Sequence, residues 1–212
     1  MTRVIYDMDK TITRAPTYTR WLVYWAAREA PWRLALLPIA AIAGLGFRLG
    51  LLSRGRLKEV AQALLMGNAA PRAVVGARAT GFAAKVALLP GAVAQIAADR
   101  EAGHDIVVAT ASFGFYARAI VARVGIDIVV TTVSIWDGDV LRARIDGSNC
   151  YGAAKATMVA AAFPGECFIR AYSDHVSDAA LFAMAAEPVA VTPSRGLRRM
   201  AQVRGWRIVD WR

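Results

Sequence analysis

The chain has few of the residues from which metal cages and covalent staples are built. Of its 212 residues only Cys150 and Cys167 are cysteine, and only His104 and His175 are histidine. None falls in CxxC or Cys/His ligand spacing, so neither a zinc-finger-type site nor a disulfide framework is implied, and buried reduced thiols are expected. Acidic residues are outnumbered, 16 Asp and Glu against 26 Lys and Arg, for a net charge of +10. Such a surplus attracts phosphate backbones in general. No zinc-finger spacing, helix-turn-helix pattern or aromatic–basic RNA motif accompanies it, so no nucleic-acid partner is expected. A membrane-spanning run is also missing. The uncharged stretch Leu34–Phe47 has 14 residues with Pro38 and two glycines inside it, against the roughly 20 that a spanning helix needs. The start of the sequence enters an apolar strand by Val4 without a basic region and apolar signal core, so a cytoplasmic location is expected.

Apolar residues are nevertheless abundant, at 57% of the chain, and the segment 34–52 concentrates them. Arg28, Arg33, Arg48, Arg54, Arg56 and Lys58 surround it, with Trp21, Trp25 and Trp32. This is the basic and aromatic dressing of an element at an anionic bilayer surface, which would place the protein peripherally on the inner face of the cytoplasmic membrane. The alternative is a buried helix whose arginines are merely solvated. The oligomeric state is not legible.

Along the chain, Arg3–Asp7 reads as a short central strand ending on an acid. From about Ala15 to Lys85 the text turns helical, with no convincing strand. From Leu88 onward helices and strands alternate, interrupted by a β-hairpin turn at Asp137-Gly138-Asp139, and the arginine-rich stretch 195–212 reads as a solvated helix and a short strand. Repeated helix-then-strand units imply an α/β fold with a doubly wound parallel sheet. In such sheets ligands bind beyond the carboxyl ends of the strands.

Four polar clusters fall at those ends or at helix starts: Asp7-Met-Asp9-Lys-Thr11, Thr110-Ala-Ser112, Lys155, and Asp174-His-Val-Ser-Asp178. On a parallel sheet they converge at one edge. Asp7, Asp9 and Asp174 offer the oxygen ligands that Mg²⁺ prefers. Asp7 can attack phosphorus, and Asp9 can protonate the leaving alkoxide and later deprotonate water. Thr110 can hold a phosphate oxygen through its hydroxyl and N–H, with Lys155 supplying positive charge. Ser112 is a further donor or a helix cap.

These motifs closely resemble those of the haloacid dehalogenase-like superfamily of phosphatases. DMDKT is similar to its first motif, Thr110 in VATAS to its Ser/Thr motif, Lys155 in NCYGAAK to its lysine motif and SDHVSD to its acidic fourth motif. The resemblance implies a Rossmann-like core over residues 1–14 and 88–212, with a helical C1-type cap over 15–87. It implies Asp7 as nucleophile, Asp9 as acid/base, Thr110 and Lys155 as catalytic groups, and Thr11 and Ser112 at the phosphate. Mg²⁺ would lie at Asp7, Asp9, Asp174 and Asp178, with Asp178 either at the metal or orienting Lys155. Members that retain the aspartyl-phosphate typically carry Thr where Asp9 stands, so the resemblance implies a phosphatase.

The insert and the later motifs resemble the phosphoserine phosphatase-like branch. That branch holds the substrate ammonium with a glutamate where this chain has Pro16, which a prolyl ring cannot replace. In composition and location the insert resembles the cap of bacterial phosphatidylglycerophosphate phosphatases of the superfamily. The expected substrate is therefore a phospholipid monoester such as phosphatidylglycerophosphate, with a soluble small-metabolite phosphate ester as the alternative.

Overall fold

A computed structural model describes residues 2–212. Among these, eight strands form one sheet, in the spatial order Ala70–Pro71, Val140–Asp146, Ile128–Asp137, Asp105–Phe113, Arg3–Tyr6, Phe168–Ser173, Ala185–Val191 and Arg207–Val209. β1 (Arg3–Tyr6) lies near the centre, paired in parallel with β3 (Asp105–Phe113) and β6 (Phe168–Ser173). Its Val4, Ile5 and Tyr6 are fully buried, which is why this strand reads as an uninterrupted apolar run. β4 (Ile128–Asp137), β7 (Ala185–Val191) and β8 (Arg207–Val209) extend the parallel set.

The sheet is mixed rather than wholly parallel. β4 turns at Gly138, whose φ of +55° suits glycine, and returns as the antiparallel β5 (Val140–Asp146). The helical stretch also contributes an unexpected two-residue strand, β2 (Ala70–Pro71), antiparallel to β5. Two residues with a proline carry no periodic signal, and the pairing partner lies far along the chain.

Among the described residues five α-helices separate β1 from β3, and the first four are α1 (Tyr18–Glu29), α2 (Leu37–Arg48), α3 (Arg54–Leu65) and α4 (Arg72–Ala83). α3 starts cleanly because the Ser53 hydroxyl accepts from Arg56 N–H at 3.2 Å, satisfying one orphan donor of its first turn. α5 (Pro90–Glu101) opens on Pro90, whose missing N–H costs nothing there. α6 (Gly114–Val121), α7 (Ala153–Ala162), the short α8 (Ala179–Phe182) and α9 (Arg195–Arg204) complete the helices. α8 is shorter than its alanine-rich text suggests, since Ala185 already belongs to β7.

The aromatic residues near the apolar segment divide in two. Trp21 and Trp25 are buried, with Trp21 stacked on Tyr116 at 5.2 Å and edge-on to Phe82 at 5.5 Å. They pack α1 against α4 and α6, so their reading as surface dressing is corrected: α1 is amphipathic and both lie on its inner stripe. Arg33 likewise folds back onto the Ala63 and Leu64 carbonyls, at 3.1 and 2.8 Å, and Lys58 is buried. Trp32 stays 64% exposed.

Candidate functional site

The carboxyl ends of β1, β3 and β6 and the start of α7 meet at one edge of the sheet. Asp7 continues β1, its N–H donating to Tyr172 O at 2.9 Å, and the chain then wraps the Met8 carbonyl, which accepts from Thr11, Ile12 and Thr13. Lys10 takes a left-handed φ of +61° in this turn. The turn aims Asp7 and Asp9 into a cavity of about 640 Å³ that Thr110, Ser112, Lys155, Asp174 and Asp178 also line.

Lys155 is the hinge of the charge arrangement. Its Nζ donates to Asp7 Oδ1 at 2.7 Å and Asp178 Oδ2 at 2.9 Å, and Asp178 Oδ2 also accepts from Ser173 Oγ at 2.6 Å. Gly152 precedes α7 with φ +61° and ψ −132°, a backbone region that an L side chain strains to adopt, and it starts the helix where Lys155 reaches both acids. Burial works against the Lys155 ammonium, but Asp7 and Asp178 outweigh it and hold the amine above its ordinary value. Burial pushes the Asp7 carboxyl up to about 8, Lys155 opposing and Asp178 and Asp174 adding repulsion. Asp174 rises to about 6, chiefly by burial, with Lys10 opposing and Asp178 adding.

Asp9 is held differently. Thr17 N–H and Thr17 Oγ1 both donate to its Oδ1 at 2.8 Å, and Ser112 Oγ donates to its Oδ2 at 3.0 Å. Thr17 is the residue before α1, so the carboxylate sits on that helix's N-terminus. Burial raises its pKa while Thr17 and Ser112 pull it back. Thr11 Oγ1 contacts Asp7 Oδ2 at 3.4 Å. Thr110 is buried at the cavity wall, its Oγ1 accepting from Ser112 N–H at 3.1 Å.

The donors at this edge are all oxygens, which suits a hard cation. Among the described residues no three His, Cys, Asp or Glu side chains already converge as a metal cage, and Lys155 takes one oxygen from each of Asp7 and Asp178. Asp178 Oδ1, however, is buried without a hydrogen-bond partner among the described residues. Crowded carboxylates with raised pKa values beside an unsatisfied buried oxygen fit a divalent cation.

The sequence gives no sign of a role at the site for Thr17, Thr132 and Asn149, and it suggests Lys58 only as surface dressing of the apolar segment. Thr17 and Lys58 line the same polar region from the helical segment, and Thr132 Oγ1 and Asn149 Oδ1 lie 3.0 Å apart behind it. Thr17 could have been found as an N-cap candidate ahead of an amphipathic helix.

Part of the remaining cavity wall is apolar, although Thr19, Arg54 and Lys58 also line it. Leu22, Leu57, Ala61 and Leu65 line it with Leu37, Ala40, Ala41 and Gly44 of α2, and Pro16 stands at the same wall. α2 buries no residue of its own. Its Ile39, Ile42 and Leu45 and the following Leu49 and Leu51 are between 50% and 75% exposed. Among the described residues no helix is long and apolar enough to cross a membrane.

A probable phosphatase from Mycobacterium tuberculosis is 30% identical over 122 residues, covering 55% of this chain and 42% of that protein. The chain spans about two-fifths of the length of the curated relatives it matches, between 41% and 42% for the more similar ones. A crystal structure of a protein of unknown function from Bordetella pertussis Tohama I covers all of both chains with a TM-score of 0.87 at 23% identity. A phosphoserine phosphatase, solved as an analogue of its phospho-aspartyl intermediate, covers 100% of this chain and 95% of its own with a TM-score of 0.65 at 15% identity. The family described as haloacid dehalogenase-like hydrolase matches residues 4–183. With that match over most of its length, and with this sheet order, the chain belongs to the haloacid dehalogenase-like hydrolases.

Proposed function

We propose that this protein is a Mg²⁺-dependent phosphomonoester hydrolase that works through an aspartyl-phosphate on Asp7, and that its substrate is a phospholipid monoester such as phosphatidylglycerophosphate. Asp7 attacks phosphorus through the oxygen that Lys155 does not hold. Asp9, fixed by Thr17 and Ser112, gives its proton to the leaving oxygen and then takes one from the hydrolytic water. Thr11, Thr110 and Ser112 supply donors to the transferring group, and Lys155 offsets its charge. Asp178 orients Lys155 and, with Asp7, Asp9 and Asp174, would hold the Mg²⁺. When bound, the cation supplies charge that lets anionic nucleophile and anionic phosphate approach.

The observation that carries the substrate assignment is the set of apolar residues that α1, α2 and α3 contribute to the same cavity as Asp7. A leaving group such as serine would leave these residues unused, and Pro16 offers its ammonium no acceptor. In this reading residues 15–87 are a cap over the core of residues 1–14 and 88–212. The 12-residue α2 is roughly 18 Å long, too short for a hydrocarbon core of about 30 Å. Its exposed isoleucines and leucines therefore suit shallow contact with one leaflet, beside Arg48, Arg54 and Arg56 for anionic headgroups. From residue 30 to residue 58 the segment contains no Asp or Glu.

The test compares Mg²⁺-dependent phosphate release from phosphatidylglycerophosphate in mixed micelles, phosphoserine and an aryl phosphate. Preference for the lipid, lost in Asp7→Asn, is expected. Preference for a soluble ester assigns the apolar wall to cap packing and overturns the lipid assignment.

A further inference from the structure

Lys58 is a buried cation that the proposed chemistry does not use. It lies on α3 at 7% exposure, and while the Tyr18 ring of α1 lies 5.3 Å from its ammonium, every hydrogen-bond acceptor of that ammonium lies outside the helical segment. It donates to Ala111 O at 2.5 Å and Asn149 Oδ1 at 2.9 Å, reaches Thr132 Oγ1 at 3.4 Å, and lies 4.2 Å from the Phe113 ring centroid. Three donors meet three neutral acceptors, which exhausts its hydrogen bonding. No carboxylate repays the burial, which pushes the ammonium down to about 7 against the pull of Asp9 and Cys150 and with the help of Arg54. An apolar side chain would pack there without that cost.

What the ammonium touches explains its presence. The β3–β4 register steps from Thr110↔Thr131 to Phe113↔Thr132, leaving Ala111 and Ser112 outside the ladder in a bulge. The Ala111 carbonyl, freed from strand pairing, accepts from Thr132 Oγ1 at 2.7 Å and from Lys58. That bulge carries Ser112, which holds Asp9, and follows Thr110. The second acceptor, Asn149, opens the segment that leads through Gly152 to Lys155. One turn earlier on α3, Arg54 stacks on Tyr151 of the same segment at 3.9 Å. A single side chain from the helical segment thus braces both polypeptide stretches that present the phosphate-facing groups.

We propose that Lys58 is a positioning residue that couples seating of the helical segment over the cavity to alignment of the Thr110–Ser112 bulge and the Lys155 segment. This rests on the phosphatase reading above. With the segment seated, the ammonium fixes the Ala111 carbonyl and Asn149 together. With it lifted, bulge and loop lose their shared brace and the donors around Asp9 and Lys155 drift. A group saturated by the protein has no donor left for substrate, so Lys58 acts on turnover rather than on binding.

The test uses 4-nitrophenyl phosphate, whose small leaving group does not depend on the apolar wall, with Lys58→Met, Asn149→Ala and the double variant. Lys58→Met is expected to lower kcat by at least about tenfold with KM changed by less than about threefold. The double variant should lose little more than the worse single one, since both cut the same brace. Hydrogen exchange should quicken at Ala111–Phe113 and at Asn149–Gly152 in Lys58→Met, with the thermal midpoint nearly unchanged. A rise in KM alone makes Lys58 a substrate ligand and overturns the proposal, as do an unchanged kcat or additive losses. If the wild-type protein hydrolyses no phosphate ester, the phosphatase reading fails and takes this one with it; if it does and only Lys58→Met is silent, this one alone fails.

Discussion

Asp9→Asn separates the two halves of the proposed reaction. Asn is nearly isosteric and its Oδ1 still accepts from Thr17 N–H and Thr17 Oγ1, the two 2.8 Å bonds of the native carboxylate. Its amide can donate to Ser112 Oγ, which lies 3.0 Å from the native Oδ2, so folding stability should change by no more than about 1 kcal/mol. What disappears is the transferable proton, together with one negative charge toward the Mg²⁺, so the comparison is made at saturating Mg²⁺. General acid–base catalysis is worth about 10²- to 10⁴-fold, or roughly 3 to 5 kcal/mol of barrier. An alkyl phosphate has a poor leaving group and should lose that factor in the first step. 4-Nitrophenyl phosphate has a leaving group that departs without a proton, so its first step should survive while attack of water on the aspartyl-phosphate slows. Stopped-flow measurement should then show a burst of nitrophenolate close to one equivalent per enzyme, followed by slow turnover. Equal slowing of both substrates before the first turnover, with no burst, refutes the assignment of Asp9.

Replacing Ile42 and Leu45 by Asp should abolish co-sedimentation with anionic vesicles while leaving 4-nitrophenyl phosphate turnover within about twofold, because both side chains point away from the cavity. Trp21→Ala removes the hub of the α1–α4–α6 packing and should cost about 3–5 kcal/mol, a fall in thermal midpoint of roughly 6–20 °C for a chain of this size. For the metal-free protein, the folded-state pKa values of Asp7, about 8, and Asp174, about 6, lie above their unfolded values. The native state then binds more protons than the unfolded one between about pH 4 and 8, and stability should fall as pH rises through that window. Mg²⁺ should accordingly raise the thermal midpoint more at pH 8 than at pH 5, as scanning calorimetry can measure.

The acids at the ends of β1 and β6 were legible because a parallel sheet puts every strand's carboxyl end on one edge, so local motifs suffice to bring distant residues together. Lys155 was legible through its family motif, while its double contact with Asp7 and Asp178 was not. Lys58 was misread as surface dressing, because its acceptors Ala111 and Asn149 lie 53 and 91 residues away and no periodicity encodes such contacts. Trp21 and Trp25 were misplaced for a related reason: the apolar run beside them drew them toward a common interpretation, whereas α1 turns them inward and α2 leaves its own leucines outside.

The aspartyl-phosphate is tested most directly by quenching the protein in acid during turnover of 4-nitrophenyl phosphate with Mg²⁺ and mapping the phosphoryl group by mass spectrometry of its peptides. An acyl-phosphate on Asp7 is expected, labile to hydroxylamine, absent from Asp7→Asn and accumulating in Asp9→Asn. A phosphoryl group on another side chain such as His175, or turnover that persists in Asp7→Asn, would contradict it.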